Sequence, residues 1–175
     1  MSYLYWTPLV ATLRAAAWLE EFNIRQVCDI GSGVGKFCVV AALAGRARFI
    51  GIEQRARLVA VARELARTFG VAERVTFVHG NFGEGSVPDA DAYYFYNSFG
   101  ENLFEADDCL DVEVELSETR YVADIAAAEC MLRGARLGTY LLTYNGFGGE
   151  VPNSYSEVRI DRELPCVLSL WQKTT

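Results

Sequence analysis

Apolar and polar positions along the chain fall into blocks of two periods. Leu9, Val10, Leu13, Ala16 and Ala17 recur at three- and four-residue spacing, which predicts a helix opened by Thr7 and Pro8 and ending near Phe22 and Asn23. The short apolar run Gln26 to Ile30 reads as a strand that empties into Gly31-Ser32-Gly33-Val34-Gly35, and a second helix follows from Lys36 to about Ala44, closed by Gly45. Phe49 to Glu53 is a second strand ending on an acid. A third helix carries the apolar stripe Leu58, Val61, Ala62, Leu65 and Phe69, with Arg55, Arg57, Arg63, Glu64 and Arg67 mostly off it and Gly70 as its stop. Val75 to His79 and Asp91 to Asn97 are the third and fourth strands, and Gly80 to Ala90 between them leaves room for only a turn or two. Ser117 caps a fourth helix running through Tyr121, Ile125, Ala128 and Leu132. Thr139 to Tyr144 is a fifth strand; beyond a glycine-rich turn (Gly146, Gly148, Gly149), Tyr155 to Leu164 and Cys166 to Lys173, joined at Pro165, predict a closing hairpin.

Strand and helix alternate until that hairpin, and a parallel strand connection requires a crossover. The pattern therefore predicts an α/β protein, residues 1–175 forming one domain: a doubly wound, mostly parallel sheet with helices on both faces and a C-terminal antiparallel hairpin. In such a sheet a ligand sits outside the carboxyl ends of the strands. The residues that follow each strand are the candidates for chemistry.

Composition narrows the function more than the fold. Apolar residues make up 51% and charged residues 22%, a globular balance, and no apolar run approaches the length of a membrane span. Met1 to Thr7 lacks the basic and apolar stretch of an export leader, so a cytoplasmic protein without membrane association is expected. A net charge of −7 argues against nucleic acid as a partner. Cys28, Cys38, Cys109, Cys130 and Cys166 are odd in number and widely spread, which suits free thiols better than disulfides or a zinc site, and no metal is expected.

A strand, a glycine loop and a helix bring backbone N–H groups against a ligand. The phosphate loop of nucleotide hydrolases does not fit, because Ile30 holds the place of its first glycine and Phe37 replaces its hydroxyl. The dinucleotide fingerprint fails at its last position, which is Lys36, a residue read as a solvated member of the first helical turn. The remaining pattern, Asp29-x-Gly31-x-Gly33-x-Gly35 with Glu53 eighteen residues past Gly35, resembles the Rossmann-like methyltransferases that use S-adenosylmethionine. The resemblance runs over nearly the whole chain and implies a sheet of about seven strands. It also implies that Gly31, Gly33 and Gly35 approach the amino-acid part of the cofactor, that Glu53 accepts hydrogen bonds from both ribose hydroxyls, and that Asp29 orients the loop. Where the family usually carries an acid for the adenine amino group, this chain has Asn81, which supplies an uncharged acceptor, and Phe82, which can flank the ring. His79, the one histidine, is given no role.

The fourth strand ends Tyr96-Asn97-Ser98-Phe99. This is similar to the Asn/Asp-Pro-Pro-Tyr/Phe motif of amino-group methyltransferases, and closer to the Asn-x-Phe ending of the lysine methyltransferases that lack a SET domain and to small bacterial members of the superfamily. The likeness implies that Asn97 contacts cofactor and acceptor and that Phe99 packs against the target or the sulfonium. A lysine held against Tyr93, Tyr96, Phe99 and Phe104 would lose solvation and favour its neutral, reactive form. Residues 101–118 then carry eight acids and no Lys or Arg, a segment suited to a cationic amine such as a protein lysine, or to solubility alone. Residues 1–25 are expected to supply a helix and a lid over cofactor and substrate, and 98–118 an acidic substrate loop. A small-molecule N- or O-methyltransferase, and a module that binds S-adenosylmethionine without catalysis, are the other readings.

Overall fold

The computed structural model describes residues 6–85, 87–103, 114 and 116–175. In chain order these form α1 (Leu9–Glu21), β1 (Gln26–Ile30), α2 (Lys36–Ala44), β2 (Arg48–Glu53), α3 (Ala56–Thr68), β3 (Val75–His79), β4 (Ala92–Phe95), a 3₁₀ turn (Gly100–Leu103), α4 (Glu118–Gly134), β5 (Tyr140–Tyr144), β6 (Tyr155–Asp161) and β7 (Leu168–Lys173). The seven strands make one sheet in the order β3-β2-β1-β4-β5-β7-β6. From β3 to β5 all pairings are parallel, with Cys28 opposite both Ile50 and Tyr93. The closing pair is antiparallel as expected, but its second strand, β7, lies against β5 and leaves β6 at the edge. That placement fits the side chains: β7 opens with buried Leu168, Ser169 and Leu170, whereas β6 is largely exposed and carries a bulge between Glu157 and Arg159.

Period-two alternation sends successive side chains of β4 to opposite cores. Ala92 and Tyr94 join the layer under α1, α2 and α3, where Tyr94 stacks on Phe37 at 3.7 Å. Tyr93 and Phe95 join the layer under α4, beside Ala128, Leu132, Leu141 and Phe147. The strand is shorter than its apolar run. Asp91 is held out of it by accepting from the backbone N–H groups of Arg25 and Gln26 at 3.0 and 2.9 Å, and Asn97 leaves it with φ of 50°.

Two helical faces differ from the expected stripes. On α1 the buried residues are Ala11, Thr12, Ala15, Ala16, Trp18 and Leu19, while Leu9, Val10, Leu13 and Ala17 face outward. On α3 they are Val59, Ala62 and Ala66, with Val61 and Phe69 half-exposed and Arg55 buried at the N-terminus. In both cases small residues take the seam, because alanine lets a helix approach its neighbour closely and gains more dispersion contact than a larger side chain held further away. The start of α4 is as expected: Ser117 accepts from the Arg120 N–H at 3.1 Å. Its far end is fastened by Lys173, whose ammonium donates to the carbonyls of Leu132 (3.2 Å) and Arg133. No helix among the described residues is long and apolar enough to cross a membrane.

Candidate active site

A cleft of about 430 Å³ opens at the carboxyl ends of β1, β2 and β4. Its floor is the glycine loop. After Ile30 the chain turns so that the N–H groups of Gly31 and Ser32 both donate to the Ile52 carbonyl at 2.9 Å. The last glycine is required by packing: Gly35 has φ of 75°, and a Cβ there would stand 2.3 Å from the Phe77 ring. Gly33, at φ of 54°, faces open space, with no atom of the described residues beyond its own chain neighbours within 4 Å of where its Cβ would be. Backbone is therefore presented bare to whatever enters the cleft.

Glu53 is 5% exposed and ties the loop to the next turn. One of its oxygens accepts from Gly33 N–H at 3.0 Å and the other from Arg55 N–H at 2.8 Å. Burial raises its pKa, and the two N–H donors oppose that rise. Each oxygen keeps acceptor capacity for a further donor. Asp29 lies deeper, accepting from the Cys38 thiol at 3.2 Å, and burial lifts its pKa to about 7.

An expected pH dependence follows. An unfolded aspartate titrates near 3.9, so across the window from there to about 7 the folded chain binds the extra proton. The stability contributed by this group then falls as pH rises through the window and levels off above it. Urea midpoints compared for the parent and Asp29→Asn should fall more steeply with pH in the parent, since Glu53, also raised by burial, contributes to both; identical slopes would place Asp29 as an ordinary carboxylate.

At the end of β4 the chain presents Asn97, exposed to the cleft in the left-handed region, its carbonyl accepting from Gly100 N–H at 3.2 Å. The carboxamide oxygen of Asn97 lies against Gly100, where a Cβ would be 2.0 Å from it. Phe99 borders the cleft but is 4% exposed, packed with Phe82 (5.4 Å) and Phe95 (6.1 Å). Tyr96 lines the cleft and packs on Tyr144 at 5.0 Å. Tyr93 does not line it: its ring belongs to the opposite core and its hydroxyl donates to the Pro88 carbonyl at 3.3 Å. Phe104, Cys109 and the acids Glu105, Asp107, Asp108, Asp111, Glu113 and Glu115 lie outside the described residues.

Of the two residues expected after β3, Phe82 borders the cleft, whereas Asn81 is absent from its lining and donates instead to Glu84 at 2.7 Å. His79 donates from its Nε2–H to the Gln54 carbonyl, 3.0 Å away, bracing the ends of β2 and β3. Sequence reasoning missed Asn102. It lines the cleft at 8% exposure, donates to the Phe99 carbonyl at 3.1 Å, and leaves its carbonyl oxygen enclosed without a partner. It also missed the pair formed by Arg55 and Glu101, 2.8 Å apart and both largely buried, which matches the first acid of the acidic segment with a cation. The run Asn97 to Asn102, with glycine three residues after the first asparagine, was the available signal. No group of metal-ligating side chains occurs among the described residues.

Glu53 with spare acceptor capacity suits a vicinal diol, the bare backbone at Gly33 suits a ligand passing close over it, and the unpartnered Asn102 carbonyl suits an N–H donor. S-adenosylmethionine offers all three. Residues 23–99 match the family model of a methyltransferase domain. No curated protein matches the chain by sequence. Among solved structures, an RNA methyltransferase from Salinibacter ruber in complex with S-adenosyl-L-homocysteine is 22% identical with a TM-score of 0.67, covering 96% of this chain and 93% of that one. The mitomycin 7-O-methyltransferase is 18% identical with a TM-score of 0.65, over 95% of this chain and 54% of that one. A SAM-dependent methyltransferase from Geobacter sulfurreducens, in complex with S-adenosyl-L-homocysteine, is 21% identical with a TM-score of 0.56, over 89% and 51%. The chain spans about half the length of these last two. At such identities what is shared is the fold, a mostly parallel seven-stranded sheet alternating with helices and closed by antiparallel strands.

Proposed function

We propose that this S-adenosylmethionine-dependent methyltransferase places the methyl group on an amino nitrogen, with a protein lysine as the leading acceptor and residues 1–175 working as one cytoplasmic domain. The observation that carries the reading is Asn97, a carboxamide exposed at the cleft just past the end of β4 with Gly100 leaving room for it. The cofactor supplies an electrophilic methyl on a sulfonium. The chain has to hold a neutral nucleophile behind that methyl, and an amine can do so by donating its N–H groups to the Asn97 side-chain oxygen and the adjacent Ser98 carbonyl, which aims its lone pair. Tyr96 and the ring cluster around Phe99 lower the polarity of that wall, which disfavours a charged ammonium. A net charge of −7 favours a cationic acceptor over RNA. The Asn-x-Phe likeness to lysine methyltransferases that lack a SET domain supports the same choice.

The deciding experiment treats a lysate with cofactor labelled in the methyl group and hydrolyses the labelled fraction. N-methylated lysine is expected; label in RNA, or in a methyl ether of a small molecule, would overturn the amino-nitrogen reading. The ribose role has its own test. Glu53→Ala should weaken S-adenosylhomocysteine binding by about 1.5–3 kcal/mol, the scale of charge-assisted hydrogen bonds. An analogue lacking the 2′ and 3′ hydroxyls should bind parent and variant alike in calorimetry, and a loss of the same size for that analogue would show that Glu53 acts only by holding Gly33.

A further inference from the structure

The cleft has two chemically different ends on either side of Glu53. Toward the 3₁₀ turn lie Phe82 and Asn102, and the cations there are matched: Arg55 by Glu101 at 2.8 Å and Arg120 by Asp124 at 3.7 Å. Toward the glycine loop lie Asp29 and Lys36. Among the described residues Lys36 has no acid within ion-pair distance, and the first turn of α2 carries none. Its ammonium instead sits 5.4 Å from the centre of the Trp6 ring. That ring is not a loose end. Thr7, the next residue, is buried and shares a 2.6 Å hydrogen bond with the Tyr94 hydroxyl, which seats Trp6 on the cleft wall above the glycine loop.

Resting on the cofactor reading above, the geometry points to Lys36, roofed by Trp6, as the site that binds the α-carboxylate of the cofactor's amino-acid part. An unmatched cation in a cleft lining calls for an anion, and of the cofactor's groups only the carboxylate is one. Asp29, at the same end, is the complement for the ammonium, so the pair reads both charges of a zwitterion. The indole face attracts the lysine and excludes water from one side of it, which strengthens the charge-assisted bond a carboxylate forms there. Selection follows: a nucleoside without the amino-acid chain leaves Lys36 unmatched, and a triphosphate would bring its charge against Asp29 and Glu53.

The test is calorimetric and needs no acceptor. S-adenosylhomocysteine and its decarboxylated analogue, which keeps the amine and loses only the carboxylate, are titrated into the parent, Lys36→Met, Lys36→Arg and Trp6→Leu, with unliganded melting curves to verify folding. The parent should prefer S-adenosylhomocysteine by about tenfold or more, Lys36→Met should erase that preference while binding the analogue as the parent does, and Lys36→Arg should retain most of it. Trp6→Leu should reduce the preference about threefold. Equal loss for both ligands, or no loss for either, in Lys36→Met would overturn the proposal. Failure of the parent to bind S-adenosylhomocysteine would overturn the cofactor reading itself, and this site with it.

Discussion

Asn97→Gly is expected to lower methyl transfer by about 100-fold or more while S-adenosylhomocysteine binds within about twofold of the parent, because positioning acts on the reacting geometry and is felt in kcat. Glycine is the proper deletion here. At φ of 50° an alanine would add backbone strain to the loss of the carboxamide, and the two effects would be read as one. A second substitution reaches the same group from outside: Gly100→Ala places a methyl where the Asn97 oxygen now lies, 2.0 Å away, and should displace the carboxamide with nearly the kinetic effect of removing it. Single-turnover labelling of the acceptor is the measurement. Parent-like rates in both variants would leave Asn97 as a turn residue with no part in methyl transfer.

Gly35→Ala should cost about 2–4 kcal/mol of folding stability, combining left-handed strain with overpacking. The added methyl would meet the Phe77 ring at 2.3 Å and the Ala62 side chain at 3.0 Å, and neither sits on a flexible end. Gly33→Ala separates the two contributions, since it carries the same sign of φ with nothing in the way. It should cost only about 1–2 kcal/mol of stability yet disturb ligand binding more than Gly35→Ala does per unit of folding lost. Urea unfolding of the three proteins decides this. A Gly35→Ala midpoint equal to that of Gly33→Ala would mean that the Phe77 ring moves aside without penalty.

Much of this architecture is legible in the chain. β1, β3 and α2 begin and end where the apolar runs and glycines put them, and Ser117 marks the start of α4, because these boundaries are local events of capping and turn chemistry. What is decided by distant partners is not. The faces of α1 and α3 depend on how closely alanines let helices approach, a property of the neighbour as much as of the helix. The hairpin strands are both apolar enough to pair with β5, and only their relative burial sets the order. In the site, Gly31, Gly33, Asp29 and Glu53 converge as the loop pattern implies, whereas Gly35 is absent from the cleft lining and faces the Phe77 ring, where it serves packing and not ligand contact. Asn81 and Asn102 exchange expectations because the turn after β3 sends one toward Glu84, while the 3₁₀ turn after β4 carries the other inward. The partnership of Arg55 with Glu101 spans 46 positions, and no local pattern announces it.

The double grip of Glu53 has a kinetic meaning. One carboxylate holds the N–H of Gly33 with one oxygen and that of Arg55 with the other, and the Arg55 side chain in turn holds Glu101. The pocket is thereby preorganised: floor, carboxylate and far wall are fixed to one another by the protein's own bonds before any ligand arrives. Association then involves little ordering of backbone, so its entropic cost is small and its rate is set by encounter and not by folding around the guest.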